Sequence, residues 1–358
     1  MRRFVLQVIL KLGRYAVLPA VGVAGALLMA WLMVLDRYPV AALVTAPIVF
    51  CVVTAALALA LGILLLPSQK DRNFSADETS APGLWAIWKE LDRAFARSRR
   101  TLTIDDSFNA SIMEHSRYAG VFERNVTMTV GLPLLVILDE RAVRAIVAHE
   151  IAHMRLRHTS GGTNLYDFVA ASENMFHYAD PDRTFTGRVA HVLLHSLTEW
   201  LWAEYRALSR ENELCADGEA GKQVGREEMA RALVLVEGCG ARITELVTKP
   251  LEKEMLGAIK PPIPPLQRTV GLLDDIRAPE QLAAAAVANL KIEQDPESRH
   301  PPFGRRLANL GFTDIPAICK VEASAIERLL SPNAASELLT RFDDEWRKRV
   351  RDFVSVDR

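Results

Sequence analysis

The chain has 358 residues, half of them hydrophobic, with 43 basic and 44 acidic side chains and a formal net charge of −1. That balance, without any run of lysine and arginine, argues for no nucleic-acid partner. Four cysteines (Cys51, Cys215, Cys239 and Cys319) lack CxxC spacing, which argues against a disulfide framework or a cysteine–zinc cluster and fits a reducing compartment.

The apolar excess lies at the N-terminus. No charge occurs from Tyr15 to Leu35 or from Val40 to Leu66, and each run is long enough to cross about 30 Å of hydrocarbon as a helix. Only Asp36, Arg37, Tyr38 and Pro39 separate the runs. Residues 1–67 are therefore expected to form a membrane anchor, a transmembrane helical hairpin with the lipid bilayer as partner. Arg2, Arg3, Lys11 and Arg14 precede the first span, Lys70 and Arg72 follow the second, and the turn carries Arg37 alone. The positive-inside rule puts both ends in the cytoplasm, which predicts a multi-pass protein of a bacterial-type inner membrane with the domain that follows the spans in the cytoplasm. A signal peptide would have a shorter apolar core and no second span directly behind it.

Residues 68–83 read as a polar linker. Leu84 to Arg97 has the spacing of an amphipathic helix, through Leu84, Trp88, Leu91 and Phe95. Phe122 to Leu138 is rich in valine, threonine and leucine and reads as strand, with breaks at Gly131 and Pro133. Asp139 is a good N-cap for a helix reaching about His158, with Val143, Val147, Ile151 and Met154 as its apolar stripe. Further helices are expected over about 190–221, 227–248, 267–288 and 323–353. The five prolines of Pro250–Pro265 predict an irregular loop beside a cleft. The charge run from Arg341 to Arg351 reads as a solvated helix face, and Trp200 and Trp202 as core.

The chemistry centres on His149-Glu150-Ile151-Ala152-His153. Four residues along a helix is about one turn, so both histidines can grip one ion while Glu150 reaches a water on it. This HExxH pattern provides two zinc ligands and a general base, and a catalytic zinc takes a third protein ligand. Some sixty residues on, Glu213 and Asp217 share a helical face in Glu213-Leu214-Cys215-Ala216-Asp217. Glu213 can ligate, and Asp217 can accept a hydrogen bond from the other ring N–H of a ligand histidine. Arg210, one turn earlier, could orient a carboxylate or a bound peptide. The competing reading of Glu213 and Asp217 is a solvated acidic face, to which Glu211 would also belong. His158 fits a helix-end cation, and His115, His177, His191 and His195 fit structural or surface positions.

HExxH followed by ExxAD resembles the HtpX-like and CAAX-prenyl-endopeptidase group of membrane zinc metallopeptidases. Phe108-Asn109-Ala110, Gly131-Leu132, Ser209-Arg210 and Arg299-His300-Pro301-Pro302 with Arg306 and Leu310 are similar to further segments of that family, in the same order. The resemblance covers about residues 84–312. It implies an α+β, mainly helical zincin-type metallopeptidase domain with a small sheet, and leaves 313–358 as a C-terminal helical extension. It implies one Zn2+ per chain on His149, His153 and Glu213, with Glu150 as base and Asp217 supporting His149. It leaves His300 either facing the cleft to stabilise an oxyanion or buttressing the fold. The implied activity is hydrolysis of a protein or peptide substrate, in membrane-protein quality control. A signalling protease that cleaves a repressor and a non-catalytic, zinc-stabilised membrane adaptor are the alternatives. Val126–Val130, as an edge strand, would hold substrate by strand addition. Two departures stand out: Pro133 replaces an expected leucine, and no further apolar span lies between the two motifs.

Overall fold

A computed structural model describes residues 2–12, 15–16, 18–64, 74–117, 122–156, 161–176, 180–256, 258, 260–317 and 320–356. In chain order it contains α1 (Arg2–Leu12), α2 (Leu18–Arg37), α3 (Pro39–Leu64), β1 (Phe74–Ala76) and α4 (Pro82–Leu91). Next come β2 (Arg99–Asp105), β3 (Ala110–Arg117), β4 (Phe122–Gly131), α5 (Leu132–Ile137), α6 (Glu140–Arg155), α7 (Gly161–Met175) and α8 (Phe185–Val224). The remainder is α9 (Arg226–Ile243), α10 (Lys249–Met255), α11 (Pro265–Gly271), α12 (Leu273–Ile276) and α13 (Pro279–Leu290). It ends with α14 (Phe303–Leu310), α15 (Ala325–Leu329) and α16 (Pro332–Val356). The chain is mostly helical, with one small mixed sheet, and divides into two compact units.

The first unit comprises Met1–Asp71 and Ser160–Leu208. In it α2 packs on α3 as a helical hairpin. The hairpin is tied by Trp31, whose Nε1–H donates to Ala42 O and Thr45 Oγ1, both at 3.1 Å. Among the described residues one helical stretch, Pro39–Ala58, is long and apolar enough to cross a membrane. Val40, Leu43, Val44 and Ile48 are exposed along it. Two elements here escape the sequence reading. The basic N-terminal flank is itself a helix, α1, and the segment after the HExxH forms α7. They meet around Leu6, Ile9, Leu165, Phe168 and Leu201, with Trp200 and Trp202 partly buried against the cluster. Asn164 Nδ2 donates to Leu10 O at 2.7 Å. Polar Asn164, Asp167 and Glu173 interrupt the apolar pattern of α7, so its periodicity is weak in sequence.

The second unit, Arg72–Thr159 and Ser209–Arg358, holds the sheet, in the order β1-β2-β4-β3. Strand β2 runs parallel to β4, and β3 is antiparallel to it. Leu102, Ile104, Val126, Met128 and Val130 alternate into the core. Thr103 and Thr129 meet on the other face with their hydroxyls 2.8 Å apart. The expectation for Val126–Val130 is corrected here: both edges of β4 are occupied, so it is an interior strand, and among the described residues β3 is the edge strand beside α6. Alternation marks a strand but says nothing of its neighbours.

Five other boundaries move. Strand β4 ends at Gly131 and α5 follows, because Pro133 sits in the first helical turn, where no N–H is needed. The run Leu132–Ile137 is apolar throughout and has no period to separate strand from helix. Helix α4 stops at Leu91 rather than Arg97: Asp92, fully buried, turns away to pair with Arg100 at 2.6 Å. The proline-rich segment is partly helical, since α9 continues through a π turn at Thr244–Thr248 into α10, with Pro250 in the first turn. The expected helix over 267–288 is three short helices, α11 to α13. In the C-terminal helical segment, Pro332 starts α16 after a break behind α15.

Candidate metal centre and active site

Helix α6 sets the site. Its N-cap Asp139 accepts from Ala142 N–H at 2.8 Å. Arg231 on α9 donates to both Asp139 oxygens, at 2.7 and 3.0 Å, which fixes that end. Val143, Val147 and Ile151 are buried along the core face, as the stripe predicts, and this leaves His149 and His153 pointing elsewhere. The two Nε2 atoms lie 3.0 Å apart with the rings near perpendicular.

Helix α8 brings the carboxylates. Glu213 places Oε1 3.2 Å from His153 Nε2 and Oε2 3.7 Å from His149 Nε2. Three donor atoms, each about 2.0–2.1 Å from one tetrahedral ion, would sit about 3.3 Å from one another. The separations of 3.0, 3.2 and 3.7 Å bracket that value. Among the described residues this is the one group of three His, Cys, Asp or Glu side chains placed to hold an ion. Asp217 Oδ1 lies 3.0 Å from His149 Nδ1, and Asp217 is fully buried. A ring N–H at Nδ1 directed at Asp217 leaves the Nε2 lone pair for a metal. The donor set therefore fits a divalent zinc-type ion.

Charge balance supports this arrangement. Burial opposes ionisation of Glu213, but hydrogen bonds from His153 and His300 and the field of Arg306 hold its carboxyl far below the usual range. Burial also opposes ionisation of Asp217, and Arg306 and His149 together lower its pKa. Burial would depress His149, but Asp217 outweighs it and the imidazole pKa is raised. Glu150 is the exception: burial dominates and raises its carboxyl, although the backbone N–H of Ile112 on β3 donates to it. A raised carboxyl is suited to taking up a proton and passing it on.

His300 and Arg210 fall nearby. His300 is largely exposed, with Nδ1 3.2 Å from Glu213 Oε2. Its backbone is pinned by Ser298, whose Oγ accepts from His300 N–H at 3.1 Å. Arg210 donates from Nη1 to Ser298 O at 2.7 Å, tying α8 to the His300 loop. His191 and His195 stack on α8 with ring centroids 5.8 Å apart, outside this group. His158, His177 and Cys319 lie outside the described residues, as does the side chain of His115. Sequence reasoning left one participant without a role. Arg306 on α14 donates from Nε to Asp217 Oδ2 at 2.8 Å and from Nη2 to Oδ1 at 2.7 Å. Its signal in sequence is its place after His300-Pro301-Pro302 in the segment that resembles the family, which gives no contact for it.

A helix carrying two histidines one turn apart with a glutamate between them, faced by a helix whose glutamate completes a group able to hold an ion, is the arrangement of a metallopeptidase type of centre. The profile of Peptidase family M48 matches residues 89–312, and the chain belongs to that family of metalloproteases, hydrolases of peptide bonds. No curated protein and no solved structure matches the chain.

Proposed function

We propose that the protein is a membrane-anchored, HtpX-like zinc endopeptidase with a zincin-type catalytic domain. It would cleave unfolded or misassembled protein chains from the cytoplasmic side of a bacterial-type inner membrane. The observation that carries this reading is the triangle of His149, His153 and Glu213 donors, with Glu150 within electrostatic reach of all three. Zinc, when bound, supplies a Lewis-acid centre that acidifies water and polarises the scissile carbonyl. Glu150 takes the proton of the attacking water and returns it to the leaving amide nitrogen. Asp217 keeps His149 in the ligating tautomer. The open edge of β3 offers backbone N–H and C=O groups on which an extended peptide can add as an antiparallel strand. His300, exposed beside Glu213, is placed to donate to the developing oxyanion.

Membrane anchoring rests on α3, and on α2 packed against it with the Trp31 N–H satisfied inside the hairpin. The deciding experiment compares wild type with Glu150→Gln for zinc content and for cleavage of an unfolded protein. Wild type should hold one zinc per chain and cleave, and the variant should keep zinc and lose at least 100-fold in rate. Equal cleavage by the variant would sink the mechanism. Zinc without cleavage in wild type would favour the zinc-stabilised adaptor instead.

A further inference from the structure

We propose that Arg306 is a positioning residue of the metal centre: clamped on Asp217, it locks that carboxylate toward His149 and so sets how tightly the site holds its ion. This inference rests on the zinc reading above. Three carboxylates, Glu150, Glu213 and Asp217, crowd one pair of histidines. A divalent ion would balance two of the three charges.

The third is met by Arg306, whose planar guanidinium engages both oxygens of Asp217, at 2.8 and 2.7 Å. Such a two-point clamp stops the carboxylate from rotating. It leaves Oδ1 facing His149 Nδ1 at 3.0 Å. The same Nη2 reaches Glu213 Oε2 at 3.4 Å, so one side chain spans the ligand carboxylate and the carboxylate behind the ligand histidine. Asp217 has no exposed surface. Without the clamp a buried carboxylate would not stay in place, because its desolvation would be uncompensated.

The helix that carries Arg306 is built to hold it still. Phe303, Leu307 and Leu310 bury one face of α14 in the core. Asn309, about one turn beyond Arg305, donates to Leu214 O on α8 at 2.7 Å. The positive charge of Arg306 repels a bound cation, but Asp217 lies within hydrogen-bond distance and cancels most of that field. The pair therefore acts on the ion through orientation of His149 rather than through net charge.

The test measures zinc affinity by chelator competition, and the visible spectrum of the cobalt-substituted protein, on the full chain. Wild type is compared with Arg306→Met, Arg306→Lys, Asp217→Asn and the Arg306→Met/Asp217→Asn double variant. Loss of a group that orients a ligand histidine weakens metal binding about 10–100-fold, and Arg306→Met and Asp217→Asn should each do so. Arg306→Lys should lose less and shift the cobalt bands. The double variant should bind within about twofold of Asp217→Asn, since both changes break one chain of contacts. Wild-type affinity in Arg306→Met overturns the proposal, as do losses that multiply in the double variant. Should Arg306→Met fail to fold by circular dichroism, Arg306→Lys decides, and an unchanged affinity and spectrum there overturn it. A wild-type chain that takes up no zinc removes the underlying reading itself, which is a distinguishable result.

Discussion

Asp139 has two tasks at the start of α6, as N-cap for Ala142 and as partner of Arg231. Burial works against its charge, yet Arg231 and the Ala142 N–H win and hold its carboxyl below the ordinary aspartate range. A carboxyl depressed in the folded state stabilises the fold above its unfolded pKa and loses that contribution as pH falls through the folded value. Asp139→Asn keeps an oxygen for the cap but not the charge. Its melting temperature should lie below wild type at pH 7, and the gap should close as pH falls below about 4. Asp139→Ala also removes the cap, and should cost about 1–2 kcal/mol at neutral pH by denaturant unfolding. An Asn variant whose deficit persists at low pH would show that the charge is not the cause. At the active site, His300→Ala should leave zinc content intact and lower kcat about 100-fold, if the imidazole donates to the transition state. A lowered melting temperature with unchanged kcat would assign it to the fold.

At the scale of elements, the site depends on how the sheet presents β3 to α6. Gly131 closes β4, donating its N–H to Asn109 O at 2.8 Å. A Cβ there would lie 1.7 Å from Ser107 O, an impossible contact with backbone. Gly131→Ala should displace the 106–109 loop that leads into β3. Peptidase rate and melting temperature should then fall together, with His149, His153 and Glu213 unchanged in sequence. Activity at the wild-type level would mean that the β3 edge does not guide substrate. The buried pair Asp92–Arg100 ends α4, and Arg100 also stacks 5.7 Å from the Trp88 and Phe95 rings. Arg100→Met strands a fully buried carboxylate and should cost about 3–5 kcal/mol in unfolding free energy. These two cases show why boundaries escape a sequence reading. Trp88 and Phe95 do share the spacing of one helix, but a single buried ion pair turns the chain between them. Likewise Pro133 and Pro250 look like breakers, yet each occupies a first turn, where proline is tolerated.

For the whole molecule, the division into units cuts across the order of the chain. Residues 160–208 cluster with the N-terminal helices, while 209–224 of the same helix α8 belong with the sheet. The membrane reading makes a direct prediction. In intact cells, Arg37→Cys in the α2–α3 turn should react with a membrane-impermeant maleimide. Exposed Cys215, two residues from Glu213, should react only after permeabilisation. Labelling of Cys215 in intact cells would reverse the topology.

The sequence alone determined which side chains share a helical face and could meet around one ion. His149, Glu150 and His153 lie on one helix, and Glu213 and Asp217 on another, because helical periodicity is a local property that spacing encodes directly. It also determined the apolar hairpin, since a charge-free run needs no partner to be recognised. Only the tertiary structure decided which strand is open, what Arg210 touches and what secures Asp217. Those depend on contacts between distant segments. Arg306 and Asp217 are 89 residues apart, and β3 becomes the edge only because β2 takes the other side of β4. Such pairings leave no period in the chain, because the energy that selects them comes from burial and ion pairing after the elements have met.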